Sequence, residues 1–320
     1  MSEARWREIA GPVGVIEPGR GNAITDLPGV RVGHAQAASG ERTGVTVVAP
    51  PSLPALAGAA TVNGMGELTG KLEIDERGTI ETPVYLCGSH AVGVVHHAAV
   101  LASGRGPDDI VLPVVGECDD GDMADSRTVT TGDVERALDD LGTEVAEGTV
   151  GAGTGMSCFD FPGGIGTASR SVGEHHVGVL LLCNFGHGAR AYLDILGHLL
   201  DSPTGEAVDR GSCIAVCATD ARLAPHQLRR LALRPLLGLA RVGSYAAEGS
   251  GEIGLAFTTS TEQDLSNDEL DPYFAAAYEA AHESVYNCLV AARPGEQLDG
   301  TMQDEFPVET VRRLAGAREA

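Results

Sequence analysis

Forty-three glycines run through the 320-residue chain without a collagen-like period, and they crowd into Val150-Gly-Ala-Gly-Thr-Gly155 and Gly163-Gly-Ile-Gly166. That is about twice the usual frequency of roughly 7%. Glycine at this density serves turns, tight packing and close approach of backbone to backbone or ligand. Between the glycines lie short apolar runs. Gly44 to Val48, Thr82 to Gly88, Ile110 to Val115, Gly164 to Val172, Val177 to Cys183, Cys213 to Thr219 and Ile253 to Thr259 read as strands. Helical patterns alternate with them: the alanine-rich Ala91 to Ala102, Thr131 to Leu141 with its Thr-Thr-Gly-Asp start, Pro225 to Arg241 with proline at its head, and Leu270 to Ala291. No repeat and no domain boundary is visible. The polar stretch from Asp201 to Arg210 is therefore expected to be an internal loop of a single α/β domain over residues 1–320.

Charge narrows the range of partners. With 22 basic against 45 acidic residues the formal net charge is −23, and aromatics make up only 4%. Such a field repels nucleic acid and anionic lipid, and little remains for stacking on bases. Neither nucleic acid nor membrane is expected as a partner, because the longest apolar stretch, around Val177 to Cys183, is far too short to span a bilayer. The charged start Met1-Ser-Glu-Ala-Arg-Trp-Arg-Glu8 lacks the apolar stretch of a secretory signal, and seven scattered cysteines suit reduced thiols. The expected location is the cytoplasm.

Common catalytic motifs are mostly absent. Lys71 is the sole lysine, and Gly70-Lys71-Leu72 lacks the Ser or Thr of a P-loop. Gly64-Met-Gly-Glu-Leu-Thr-Gly70 is one residue off a dinucleotide fingerprint, and Glu248-Gly-Ser-Gly-Glu252 is not a hydrolase elbow. His90, His96, His97, His175 and His176 have no zinc-like spacing, so they read as solvated or core histidines and no metal is expected.

The informative segment is Asp209-Arg-Gly-Ser-Cys-Ile-Ala-Val-Cys-Ala-Thr-Asp220. A small residue before serine, after a polar loop and directly before a buried strand, is what self-cleavage into an N-terminal nucleophile needs. Gly211 permits strained backbone, and Ser212 can attack the Gly211 carbonyl. Hydrolysis of the resulting ester frees the Ser212 α-amine. That amine titrates near 7.7 to 8.0 in model peptides, so it can serve as general base for its own hydroxyl. Gly-Ser before a strand is also ordinary turn chemistry.

Taken with the rest of the chain, the segment resembles the DmpA-type L-aminopeptidase/D-esterase family, which includes the β-peptidyl aminopeptidases. The resemblance is carried by Ile24-Thr-Asp-Leu-Pro-Gly-Val-Arg-Val-Gly-His34, Asn63-Gly-Met-Gly-Glu-Leu-Thr-Gly70, Val150-Gly-Ala-Gly-Thr-Gly-Met156, Gly163-Gly-Ile-Gly-Thr-Ala-Ser-Arg170, Asn184-Phe-Gly186, Gly211-Ser212 with Ala218-Thr-Asp220, and Ser250-Gly-Glu252. It implies a four-layer α/β/β/α sandwich, shared with the ornithine acetyltransferases and resembling N-terminal-nucleophile hydrolases. It also implies self-cleavage between Gly211 and Ser212 into an α chain 1–211 and a β chain 212–320, oligomers of αβ units, and no metal or organic cofactor.

Carried over by position, the resemblance makes Ser212 the nucleophile and, through its freed amine, the base. Ser250 and Glu252 become its orienting partners, placed on one side of an extended segment by their alternation. Asn184 becomes the oxyanion donor, and Glu117 the anion that meets the substrate's free amino group. Two positions depart from the family pattern. Asp119 stands where relatives tend to carry an aromatic, which makes the substrate pocket more negative, and Pro162 stands where they often carry lysine. The activity implied is aminopeptidase hydrolysis of short peptides, amides or esters through an acyl-enzyme on Ser212. The alternatives are an amidohydrolase of non-peptide amides like the nylon-oligomer hydrolases, an ornithine-acetyltransferase-like acyltransferase, and an unprocessed inactive scaffold. The first two use threonine where this chain has Ser212.

Overall fold

Valine-rich runs that send alternate side chains to opposite faces build the fold of the computed structural model, which describes residues 4–188, 192–201 and 210–319. One sheet has four strands in the order β1-β2-β5-β6: β1 (Arg31–Gln36), β2 (Gly44–Ala49), β5 (Val84–Gly88) and β6 (Val114–Cys118). The other has six, ordered β4-β3-β14-β13-β10-β9: β3 (Ala55–Gly64), β4 (Thr79–Ile80), β9 (Gly164–Val172), β10 (His175–Asn184), β13 (Arg210–Thr219) and β14 (Gly249–Thr258). Two small hairpins, β7 (Ser157–Cys158) with β8 (Phe161–Pro162) and β11 (Tyr192–Ile195) with β12 (His198–Asp201), lie outside them. The helices are α1 (Trp6–Ala10), α2 (Lys71–Arg77), α3 (Val92–Ala102), α4 (Thr131–Asp139), α5 (Pro225–Val242), α6 (Asp271–Ala291) and α7 (Val308–Glu319).

Three buried clusters separate four layers. Val45 and Val47 of β2 pack with Val95 of α3 and Val134 of α4. Val48, Val84, Leu86 and Val114 meet Leu180, Leu182, Ile214 and Val216 between the two sheets. The opposite faces of β10 and β13, carrying Val179, Leu181, Ala215 and Cys217, pack with Leu228 and Leu239 of α5 and Val285 and Leu289 of α6. The order is helices, four-stranded sheet, six-stranded sheet, helices, which is the expected α/β/β/α sandwich. Each fully buried leucine or valine stabilises it by about 1.5–3 kcal/mol.

The glycines set how close these layers come. A Cβ on Gly58 or Gly254 would collide with the backbone of α5, and one on Gly166 with the Ser284 carbonyl of α6. Arg170, fully buried, ties the same region together through Val13 O (2.8 Å) and Glu283 (2.8 Å).

One expectation needs correction. The strand read over Ile110 to Val115 runs instead over Val114–Cys118, and Ile110 is exposed. Pro113 has no N–H for a ladder, so pairing begins only after it. Ala55–Gly64, on which the sequence reading was silent, is an inner strand; alanine and glycine have weak strand preference, and its place between β4 and β14 supplies the pairing instead. Of the predicted polar loop, residues 202–209 lie outside the described residues.

Candidate active site

Strand pairing brings the predicted residues to one end of the six-stranded sheet. β13 runs between β10 and β14, antiparallel to the first and parallel to the second. Asn184 is thereby the direct partner of Ser212 on one side. On the other side Gly211 pairs with Ser250, Ser212 with Gly251, and Cys213 with Glu252. Neighbouring strands lie about 4.8 Å apart, so Ser250 and Glu252 flank the nucleophile candidate from the next strand.

Gly211 could not be another residue without cost. Its φ is +145°, and a Cβ would stand 2.6 Å from both Asn184 O and Phe185 Cα. Ser212 is 4% exposed, and its Oγ is buried without a hydrogen-bond partner. The Cys118 thiol beside it gives its hydrogen to Leu182 O at 3.7 Å. Burial pushes that thiol well above its ordinary pKa, so Cys118 offers no competing thiolate.

Ser250 Oγ donates to Glu252 Oε1, so the two side chains do share one side as their alternation predicts. The other carboxyl oxygen, Oε2, is buried without a partner. Removal from water raises the Glu252 pKa from 4.5 to about 7, against the opposing effect of the Ser250 hydroxyl. The segment is held from β3: Asn63 Nδ2 donates to Ala247 O (2.9 Å), Glu248 O (2.9 Å) and Ser250 O (2.6 Å). Asn63 was legible only as part of a glycine-rich motif; its clamping role needs the sheet.

The other sheet contributes the acids. Glu117, on β6, accepts from Glu67 N (2.8 Å) and from Ser89 Oγ. It lies beside Gly66, where a Cβ would stand 3.1 Å from Glu117 Oε1 and 3.9 Å from Gly251 Cα. Glu117 and the residue opposite Ser212 thus border the same glycine. Asp119 is exposed, and its backbone carbonyl accepts from Asn184 Nδ2 at 2.8 Å. Asn184 Oδ1 accepts from Ser157 N at 3.0 Å, which fixes the amide and leaves the second Nδ2 hydrogen for a further acceptor.

A cleft of about 80 Å³ opens here, lined among others by Asp119, Asp120, Asp122, Asn184, His187 and Gly211. Glu117 is not among its lining residues. Asp120, 2% exposed, has a buried oxygen without a partner, and desolvation raises its pKa from 3.8 to about 6. Pro162 pairs with Ser157, itself part of the cleft wall. The sequence reading missed Asp120, and also His187 with Asp160, which stand 27 residues apart and meet only through folding. Lys71 opens α2 and pairs with Asp75. Among the described residues no group of three or more His, Cys, Asp or Glu could hold a metal ion, and no helix is long and apolar enough to cross a membrane.

The comparisons with known proteins agree with this fold. Residues 22–303 match peptidase family S58. A β-peptidyl aminopeptidase of Sphingosinicella microcystinivorans is 37% identical, the match covering 94% of this chain and 91% of that protein. A β-aminopeptidase structure from Burkholderia sp. superposes with a TM-score of 0.87 at 36% identity, covering 98% and 99% of the two chains. The L-aminopeptidase D-Ala-esterase/amidase of Ochrobactrum anthropi, described as a prototype serine aminopeptidase and a variant of the Ntn hydrolase fold, superposes at 0.86 with 34% identity and the same coverage.

Proposed function

The chain belongs to peptidase family S58 and is a serine aminopeptidase of the N-terminal-nucleophile kind, and from that premise we propose which residues act and on what. Ser212 is the nucleophile. The observation that carries this reading is its position: a buried hydroxyl without a partner, paired with Asn184 on one strand and flanked by Ser250 and Glu252 on the other.

The chain first cuts itself. Ser212 Oγ attacks the Gly211 carbonyl, the C–N bond breaks, and water hydrolyses the ester, leaving chains 1–211 and 212–320. The positive φ at Gly211 holds the scissile peptide in a conformation that side chains rarely adopt. Cutting creates the ammonium that the buried, unpartnered Glu252 oxygen lacks. An adjacent ammonium favours the carboxylate and lowers the raised Glu252 pKa, while Ser250 keeps the carboxyl aimed.

In turnover the neutral Ser212 amine removes the proton from its own Oγ, which attacks the substrate carbonyl. The free Nδ2 hydrogen of Asn184 meets the oxyanion. Glu117, already oriented by Glu67 N–H and Ser89, accepts the substrate's ammonium. The leaving amine takes the proton, and water then releases the acyl group from Ser212.

The substrates of this reading are short peptides, amides or esters with a free amino group. β-Aminoacyl amides come first, because two of the three relatives named above are described as β-aminopeptidases. Asp119, Asp120 and Asp122 at the cleft favour cationic substrates. We place the enzyme in the cytoplasm, in keeping with seven free, buried cysteines, and as an oligomer of αβ units.

Intact-mass measurement tests the whole reading. Wild-type protein is expected to resolve into two chains meeting at Gly211/Ser212, and Ser212→Ala to remain one chain of 33.0 kDa without peptidase activity. A wild-type preparation that is active yet uncut overturns it. Acetylating the substrate's amino group is expected to abolish turnover.

A further inference from the structure

Before the chain is cut, Ser212 has no α-amine, so the first step lacks the base that later turnovers use. Ser212 Oγ has no acceptor, and Oε1 of Glu252 accepts from Ser250. A proton carrier on the Gly211 side of the nucleophile serves both the hydroxyl and the departing nitrogen. We propose that the His187–Asp160 pair is that carrier, taking the proton from Ser212 Oγ and returning it to the Ser212 nitrogen as the peptide bond breaks. This rests on the self-cleavage reading above.

The geometry is that of an oriented imidazole. His187 Nδ1 lies 2.6 Å from Asp160 Oδ1, with the two side chains only 10% and 6% exposed. A carboxylate on Nδ1 sets the tautomer and leaves Nε2 as the working nitrogen. His187 lines two adjoining clefts, one shared with Gly211 and Asn184, the other with Ser250. It therefore borders both the cleft that Gly211 lines and the cleft that Ser250 lines.

The pair is held with more precision than a surface ion pair needs. Phe159 and Asp160 are consecutive non-glycine residues with positive φ, +52° and +62°. Such conformations are strained for residues that carry a side chain. Phe159 N donates to Phe185 O at 2.8 Å, and the Phe159 and Phe185 rings meet edge to face at 5.5 Å. Gly186 (φ +83°) admits the Phe159 ring, since a Cβ there would stand 2.7 Å from Phe159 Cδ1. The turn that carries Asp160 and the segment that carries His187 are thus locked to each other, next to Asn184.

The step balances. Ser212 Oγ bonds to the Gly211 carbonyl carbon while His187 Nε2 takes the hydroxyl proton. The carbon–nitrogen bond then breaks, and Nε2 gives that proton to the departing nitrogen, which becomes the free amine. Water finally splits the Gly211–Oγ ester, restoring the Ser212 hydroxyl and leaving the Gly211 carboxylate.

The test follows cleavage of freshly made full-length chains by intact mass, comparing wild type with His187→Gln and Asp160→Asn, each with and without added imidazole. General acid–base catalysis usually contributes about 10²–10⁴-fold. His187→Gln is expected to slow cleavage about tenfold or more and to recover part of the rate in imidazole, whereas Asp160→Asn slows it less and gains nothing from imidazole. Cleavage of His187→Gln within about threefold of wild type overturns the proposal. So does a slowed variant that imidazole leaves unchanged, because that assigns the loss to packing. Wild type that never splits instead overturns the self-cleavage reading itself.

Discussion

Two buried glutamates, one in each sheet, have opposite hydrogen-bond accounts. Glu117 on the four-stranded sheet is satisfied at both oxygens by its own protein, through Glu67 N–H and Ser89. Glu252 on the six-stranded sheet has one oxygen on Ser250 and one buried with no partner, and burial lifts its pKa to about 7. A satisfied buried carboxylate is an anion already in place for an incoming ligand. An unsatisfied one costs folding free energy until a partner arrives. In our reading Glu117 awaits the substrate's ammonium, and Glu252 awaits the ammonium that the chain makes by cutting itself.

The comparison can be broken by mutating each member. The largest effect is expected for Glu252→Gln, which keeps the shape and removes the charge: kcat should fall about 10³-fold with KM little changed, as for an interaction made with the reacting groups. Steady-state kinetics on a β-aminoacyl p-nitroanilide measures it, and a change confined to KM would assign Glu252 to substrate binding instead. Asn184→Ala should follow closely, at about 10²–10³-fold in kcat, the size seen when an oxyanion donor is removed elsewhere. Because Asn184 also bonds Asp119 O and Ser157 N, melting curves should accompany the kinetics. Glu117→Gln should be milder, raising KM about 10–100-fold and weakening discrimination between free and acetylated substrates. If it lowers kcat alone, the division between the two glutamates fails.

The smallest effect concerns pH. In uncut Ser212→Ala protein, Glu252 binds its proton more tightly folded than unfolded. Its stabilising contribution is therefore full below about pH 4.5 and declines as pH rises to about 7. Asp120 acts with the same sign between about 3.8 and 6. Denaturant titrations should show stability falling across this window by up to about 3 kcal/mol for Glu252 alone, with the fall between pH 6 and 7 lost in Ser212→Ala/Glu252→Gln. A slope unchanged by the second substitution would remove the raised carboxyl from the account.

Much of the fold was legible along the chain. Cys213 to Thr219 and Val177 to Cys183 announced themselves as strands by β-branched and apolar runs, and the long helices by their periodicity. Ala55–Gly64 did not, because its strand character comes from neighbours rather than from its own residues. Ile110 to Val115 misled because an apolar run containing Pro113 looks like a strand until the missing N–H is counted. The site divides in the same way. Alternation put Ser250 and Glu252 on one side of a strand, but it was the resemblance that singled them out together with Gly211 and Ser212; by themselves both segments read equally as turns. Asn63 clamping residues 247–250, the partnerless oxygen of Asp120, and His187 against Asp160 had no signal in spacing.

The amino-acid sequence by itself determined the alternating elements and the acidic composition, since these depend on local periodicity and residue counts, and its resemblance to a family singled out Ser212, Ser250 and Glu252 as candidates. Only the tertiary structure decided which buried groups are satisfied and which are not. Hydrogen-bond accounts depend on contacts between residues tens to hundreds of positions apart, and one glutamate was left waiting while the other was not because the sheets packed as they did.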